Sequence, residues 1–234
     1  MRTLVIGDIH GCSVALDALL GLVQPAADDR LITLGDYVDR GPDSRAVVDR
    51  LIELFDAGRL IALRGNHDEM MLRCRCDHHE RRLWLRFGGV QTLDSYGHWP
   101  SDEVYDRVPE RHWQFLEKDC CNWYETQTHL FAHALIVPNL PMAQQETSVL
   151  LWERLHGPVA HSSGKILICG HTRQDAGLPL DLGTTICIDT GIYARDGWLT
   201  CLHVERGWYY QADQGGRTRQ GTLEALYRHC AGEL

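Results

Sequence analysis

The stretch that decides the fold is Leu31-Ile32-Thr33-Leu34-Gly35-Asp36-Tyr37-Val38-Asp39-Arg40-Gly41, an apolar run that stops at glycine and continues into two carboxylates and a guanidinium. A short apolar, β-branched run ended by Gly reads as a buried strand that gives way to a loop. The same pattern recurs three times. Leu4-Val5-Ile6 leads into Gly7-Asp8-Ile9-His10-Gly11, Leu60-Ile61-Ala62-Leu63 into Arg64-Gly65-Asn66-His67-Asp68, and Ile166-Leu167-Ile168-Cys169 into Gly170-His171-Thr172. If these strands share a sheet, their loops converge at one edge and gather Asp, His, Asn and His. Strand carboxyl ends are where α/β sheets hold their ligands.

Between the strands the periodicity changes from two to 3.6. Residues 14–23 carry Leu16, Leu19, Leu20 and Val23 at helical spacing, and Pro42 opens a second helix with Val47, Val48, Leu51, Ile52 and Leu54 that stops at Gly58. The result is a β-α-β-α-β run, an α/β beginning. Residues 69–118 read as short helices interrupted by Gly88-Gly89 and by Pro100, a helical insertion on a single domain spanning 1–234. From Asn122 the pattern turns strand-like, with strands expected at 130–133, 165–169, 185–188, 199–204 and 208–211 and a closing helix at 222–230.

Composition sets limits on partners and location. The 234 residues include 23 Lys and Arg against 32 Asp and Glu, an acidic balance that argues against reliance on a nucleic-acid backbone. No apolar stretch is long enough to span a bilayer and the first strand begins at once, without a signal-peptide pattern, so a cytoplasmic protein with no membrane partner is expected. Nine cysteines, an odd number that includes the vicinal Cys120-Cys121, fit a reducing compartment better than a disulfide framework.

The blocks have a chemistry in common. Asp8 and His10 lie two apart, so on extended backbone both point to one side and can grip one cation. Asp36 has two oxygens and can bridge that cation to a second one, to which Asn66, His133 and His171 offer an amide oxygen and imidazole nitrogens. A mixed oxygen and nitrogen shell suits manganese, iron or zinc better than calcium or magnesium, and manganese is the metal expected here. Two such ions, roughly 3.5 to 4 Å apart, activate a water and clamp both ends of a phosphoryl displacement. Six suitable side chains would all have to stand at strand ends by accident for these loops to be merely structural. Cys74, Cys76, His78 and His79 do not have the paired spacing of a structural zinc motif, and no zinc is expected there. Arg40, Arg64 and Arg154 are candidate phosphate clamps, because a guanidinium presents paired donors that match phosphate oxygens.

The motifs at residues 7–11, 35–41 and 65–68, with His133-Ala134 and Gly170-His171 after them, resemble the signature of the phosphoprotein phosphatase family. The segment Leu151-Trp152-Glu153-Arg154 and the arginine before Gly65 are similar to its bacterial and phage branch. The resemblance implies the calcineurin-like metallophosphoesterase fold, a β-sandwich flanked by helices. It implies one metal held by Asp8, His10 and Asp36, and a second held by Asp36, Asn66, His133 and His171. It also implies a general acid, His67, oriented by Asp39, and direct attack by a hydroxide that bridges the metals. The expected substrates are phosphoserine and phosphothreonine proteins or peptides, with small phosphoesters as further substrates.

Two alternatives stand beside this reading. A symmetrical dinucleoside tetraphosphate hydrolase would share every metal motif and add cations and aromatic platforms. Loop 135–147 offers neither, whereas 69–118 offers Arg73, Arg75, Arg81, Arg82, Arg86, Trp84 and Phe87. An inactive phospho-binding module would be expected to lose ligands, and all are present. Leu135, where many relatives carry Gly, is expected to narrow or reshape the substrate groove.

Overall fold

The computed structural model describes residues 1–97 and 106–230, so the expected break at Pro100 lies outside the described residues. The amino-terminal half alternates as its periodicity requires: β1 (Thr3–Ile6), α1 (Ser13–Val23), β2 (Arg30–Thr33), α2 (Ser44–Asp56) and β3 (Leu60–Ala62). The three strands lie parallel, with Val5 beside Ile32 and Ile32 beside Ile61. Leu16, Leu19, Leu20 and Val23 of α1 and Val47, Val48, Leu51, Ile52 and Leu54 of α2 are buried. The second helix starts after Asp43, whose carboxylate accepts from Ala46 N at 3.0 Å and satisfies one of the free amides of the first turn.

Then come α3 (Asn66–Arg73), α4 (His78–Trp84), α5 (Val90–Tyr96) and α6 (Glu110–Gln114). Gly88-Gly89 interrupts this segment as the sequence predicts, since Gly88 has non-helical backbone with φ +116°. The turn at 85–89 therefore joins two separate helices, α4 and α5, across a kink.

The second half supplies β4 (Trp123–Glu125), β5 (His129–Ala132), α7 (Thr147–Trp152), β6 (Ile166–Cys169), β7 (Leu180–Asp181), β8 (Thr185–Cys187), β9 (Leu199–His203), β10 (Trp208–Ala212), β11 (Thr218–Thr222) and α8 (Leu223–Cys230). One sheet has the order β11-β10-β9-β1-β2-β3 and the other β4-β5-β6-β8-β7. The edge strand β11 escapes sequence reading because Thr218-Arg219-Gln220-Gly221-Thr222 has no apolar alternation to reveal it.

Period-two alternation builds the sandwich. Val5, Ile32, Phe131, Ile168, Ile186 and Leu202 form the apolar layer between the sheets, while Leu4 and Ile6 face the helices. Each such side chain contributes about 1.5 to 3 kcal/mol by leaving water. Within the second sheet β5, β6 and β8 also run parallel. Two sets of parallel strands therefore meet in one sandwich, and the chain that leaves them forms the site.

Candidate active site

Asp8 follows β1, Asp36 follows β2, His133 follows β5, His171 follows β6, and Asn66 and His67 open α3 just beyond β3. Backbone pairing locks these turns together. Ile9 N and His10 N both donate to Asp36 O, at 3.0 and 2.8 Å. The buried carboxylate of Asp68 accepts from Asp36 N at 2.8 Å, Gly65 N at 2.9 Å and Tyr37 N at 3.0 Å, tying the β2 and β3 turns into one unit. A Cβ on Gly35 (φ +101°) would fall onto Gly65 N, so glycine is required where the two turns touch. His10, Asp36, Asp39, Arg40 and His171 all have left-handed backbone, with φ of 45°, 53°, 73°, 70° and 61°. Non-glycine residues pay for that conformation, and they concentrate at functional sites.

All six expected metal ligands come together. Asp36 Oδ2 lies 3.4 Å from His10 Nε2 and its Oδ1 3.5 Å from His133 Nε2, so its two oxygens face two different imidazoles, as a bridging carboxylate must. Asp8 joins Asp36 and His133, with ligand atoms within 4.8 Å of one another. Backbone carbonyls fix the imidazole tautomers: His10 Nδ1 donates to Val38 O at 3.0 Å, His133 Nδ1 to Leu34 O at 3.0 Å and His171 Nε2 to Trp152 O at 3.1 Å. The remaining nitrogens present lone pairs inward. His133 Nε2 and His171 Nδ1 stand 2.9 and 3.0 Å from the Asn66 amide oxygen, itself an acceptor. Acceptors facing acceptors in a buried space are the donor set of a cation.

Charge supports the same conclusion. Burial lowers the pKa of His10 and His133, and burial and His133 bring His171 down to about 4, which keeps all three neutral and able to ligate. Burial and the charges of Asp189 and Asp36 push Asp8 well above the carboxylate range, and burial pushes Asp189 up to about 6. Three carboxylates, Asp8, Asp36 and Asp189, are nearly closed to solvent. A divalent ion pair would neutralise the surplus.

His67 also offers a ligand atom within 4.8 Å of those of His10 and Asp36, and what distinguishes it is a carboxylate partner of its own. Its Nδ1 lies 2.6 Å from Asp39 Oδ2, and the side chain lines a cleft of about 470 Å³. Burial opposes its charge, but Asp36 and the bond to Asp39 raise its pKa above the ordinary imidazole value. Arg40 and Arg154 also line the cleft. Arg40 Nη1 lies 2.9 Å from His10 Nε2, and its guanidinium stacks 4.3 Å from the Tyr193 ring centroid.

Arg64, an expected clamp, lies outside the cleft lining. Its Nε and Nη2 donate to Leu116 O and Glu117 O at 2.9 and 2.6 Å, and Nη1 pairs with Glu69, so the guanidinium anchors the helical segment and does not line the cleft. Leu135 does not shape the groove either. It packs beside Leu130, Ile136 and Leu150 against the outer face of the second sheet. Trp84 is buried, and Arg73, Arg75 and Arg81 are bonded to Glu69, Glu110 and Cys74 O, so of the expected nucleotide platform only Phe87 lines this cleft, with Arg86 in the groove next to it. Cys74 is buried, its thiol bonded to Met71 O and pushed up to about 12 by burial, while Cys76 is exposed. The eight cysteines whose side chains are described are all free.

Sequence reading missed four residues. Asp189 follows the run Thr185-Ile186-Cys187-Ile188 and precedes Thr190-Gly191, the same strand-to-turn pattern with Asp two places ahead of Gly and not behind it. Asp68 was quoted only as part of its block. Tyr193 and Arg173 line the cleft from the segments after β8 and β6, and no local signal marks them.

Residues 1–175 match the family model described as calcineurin-like phosphoesterase. The chain is 32% identical over 154 residues to serine/threonine-protein phosphatase 1 of Salmonella typhimurium, covering 64% of this chain and 67% of that protein. It is 30% identical over 146 residues to a symmetrical bis(5'-nucleosyl)-tetraphosphatase of Janthinobacterium, covering 62% of this chain but only 47% of that relative's length. The fold is similar to a solved protein serine/threonine phosphatase from Saccharomyces cerevisiae, with a TM-score of 0.60, 15% identity, and coverage of 95% of this chain and 80% of that one.

Proposed function

The chain belongs to the calcineurin-like phosphoesterase family, and from that premise we propose that it removes phosphate from phosphoserine and phosphothreonine on proteins or peptides in the cytoplasm. Asp8, His10, Asp36, Asn66, His133 and His171 would hold two divalent ions, with manganese the best match to the mixed donor set. When bound, such ions supply an activated water and Lewis-acid polarisation of the phosphoryl group.

The chain's own groups complete the chemistry. Arg40 and Arg154 orient the phosphoryl oxygens with paired N–H donors. His67 delivers a proton to the departing oxygen, held for that purpose by Asp39.

The observation that carries the reading is the buried His67–Asp39 pair, 2.6 Å apart. A serine or threonine alkoxide is a poor leaving group and departs only when protonated, whereas a nucleotide phosphate leaves readily without an acid. A second reading, dinucleoside tetraphosphate hydrolysis, is favoured by the rings of Phe87, Trp152 and Tyr193 around the cleft, the first two 50% and 41% exposed. Specificity constants for phosphopeptides and for diadenosine tetraphosphate, measured side by side with manganese at fixed salt, decide between them. A tenfold or greater preference for the dinucleotide would replace the first reading with the second.

A further inference from the structure

Asp39 is fully buried and uses both oxygens. Oδ2 receives His67 Nδ1, and Oδ1 receives the Thr92 hydroxyl at 2.7 Å. The indole N–H of Trp84 points at the carboxylate from the helical segment, 2.9 Å from each oxygen. Trp84 is itself fully buried, and its ring lies so close to Gly89 that a Cβ there would overlap it. Next to it, Gly88 O accepts from Arg40 N at 3.3 Å, and a Cβ on Gly88 would fall onto that same nitrogen. The kink and its two glycines thus seat an indole against Asp39 while leaving room for the Asp39–Arg40 backbone.

From this geometry we propose that Trp84 is a positioning residue for acid catalysis: its N–H fixes the plane of the Asp39 carboxylate so that Oδ2 meets His67 Nδ1 and the imidazole is held with Nε2 free toward the leaving group. The inference rests on the reading of His67 as the acid. Thr92 holds one oxygen and the imidazole, the group to be positioned, meets the other, whereas the indole N–H reaches both. The proposal also explains why a residue that sequence reading assigns to nucleotide stacking is shut inside the protein.

The test compares leaving groups in the manganese-loaded enzyme, using p-nitrophenyl phosphate, β-glycerophosphate and a phosphoserine peptide. Trp84→Phe removes the donor. Replacement of Trp84 by β-(3-benzothienyl)alanine exchanges only the N–H for sulphur and keeps the ring volume, which covers the case in which the phenylalanine variant does not fold. Removal of an orienting hydrogen bond of this kind costs about 10- to 100-fold, and that loss is expected in kcat on both alkyl esters. The aryl ester, whose phenolate leaves unaided, should change by less than about threefold, with metal content unchanged. Equal loss on all three substrates, or no loss in the benzothienyl variant, overturns the inference. A wild-type enzyme active on both small esters but inert toward the peptide rejects the protein substrate and leaves the role of Trp84 standing. Inertness toward both alkyl esters overturns the inference, since no alkoxide would then need an acid.

Discussion

His67 Nδ1 lies 2.6 Å from Asp39 Oδ2 inside a wall of protein that excludes water from both groups. The pair is bonded to the candidate metal ligands through the backbone, since His67 N donates to Asp36 Oδ1 at 2.9 Å. The proposed acid and the candidate metal ligands therefore share one scaffold.

His67→Asn should keep both metals and lose roughly 10² to 10⁴ in rate on a serine phosphate, with far less lost on an aryl phosphate. Because the pKa of His67 is raised, its protonated form survives past the ordinary imidazole range and is lost as pH climbs through the raised value. Activity on alkyl esters should fall on that alkaline side, and the fall attributable to His67 should vanish in the variant. Metal analysis and pH profiles check this, and loss of metal together with equal loss on both substrates would make His67 a ligand.

Asp36→Asn should lower metal content and nearly abolish hydrolysis, because its two oxygens face two imidazoles and an amide cannot supply two anionic oxygens. Metal content and turnover after chelation and manganese return are the measurements. Full activity of the variant in chelator would refute the two-ion centre.

The two arginines should separate by readout. Arg64→Ala forfeits two hydrogen bonds to backbone carbonyls and should cost about 1 to 3 kcal/mol of stability while leaving kcat/KM within about threefold. Arg154→Ala should leave the melting temperature unchanged and lower kcat/KM by about tenfold or more. Thermal unfolding and kinetics on the same preparations settle the assignment, and the opposite pattern would return Arg64 to the phosphate site.

Metal removal should reveal the carboxylate cluster. Asp189, pushed up to about 6, and Asp8, also raised, bind more protons in the folded than in the unfolded state, whose carboxylates titrate near about 3.9. Metal-free protein should thus lose stability as pH rises from about 4 through 6, and Asp189→Asn should flatten that slope. Saturating metal should restore stability at neutral pH, by about 2.7 kcal/mol at a hundredfold excess over Kd. Unfolding curves in chelator across this range test it, and identical slopes for wild type and variant would refute it.

Five of the six candidate metal ligands were legible in the sequence because they follow a strand that announces itself by an apolar run ended at glycine, while His133 follows the apolar run Leu130-Phe131-Ala132 without one. The two helices after β1 and β2 were legible for the same reason of periodicity. What stayed hidden depends on direction and not on position. Nothing local distinguishes an arginine that lines the cleft, such as Arg154, from one that turns toward Leu116 O, such as Arg64. Gly88-Gly89 reads as a break because glycine weakens helices, and it is one, but nothing local shows that the pair also admits Arg40 and the Trp84 ring. Leu135 looked like a groove residue because it adjoins His133-Ala134, but its side chain packs in the opposite direction, into the outer core.

The five left-handed residues of the site carry a further consequence. Glycine would relieve His10, Asp36, Asp39, Arg40 and His171 of a conformation that costs side-chain-bearing residues about 1 kcal/mol or more each. A laboratory selection for heat resistance alone would thus reward the erasure of these side chains and recover a sturdier, inert protein. Any programme to harden this enzyme has to screen for turnover at every round, because the easiest gains in robustness lie where the chemistry is.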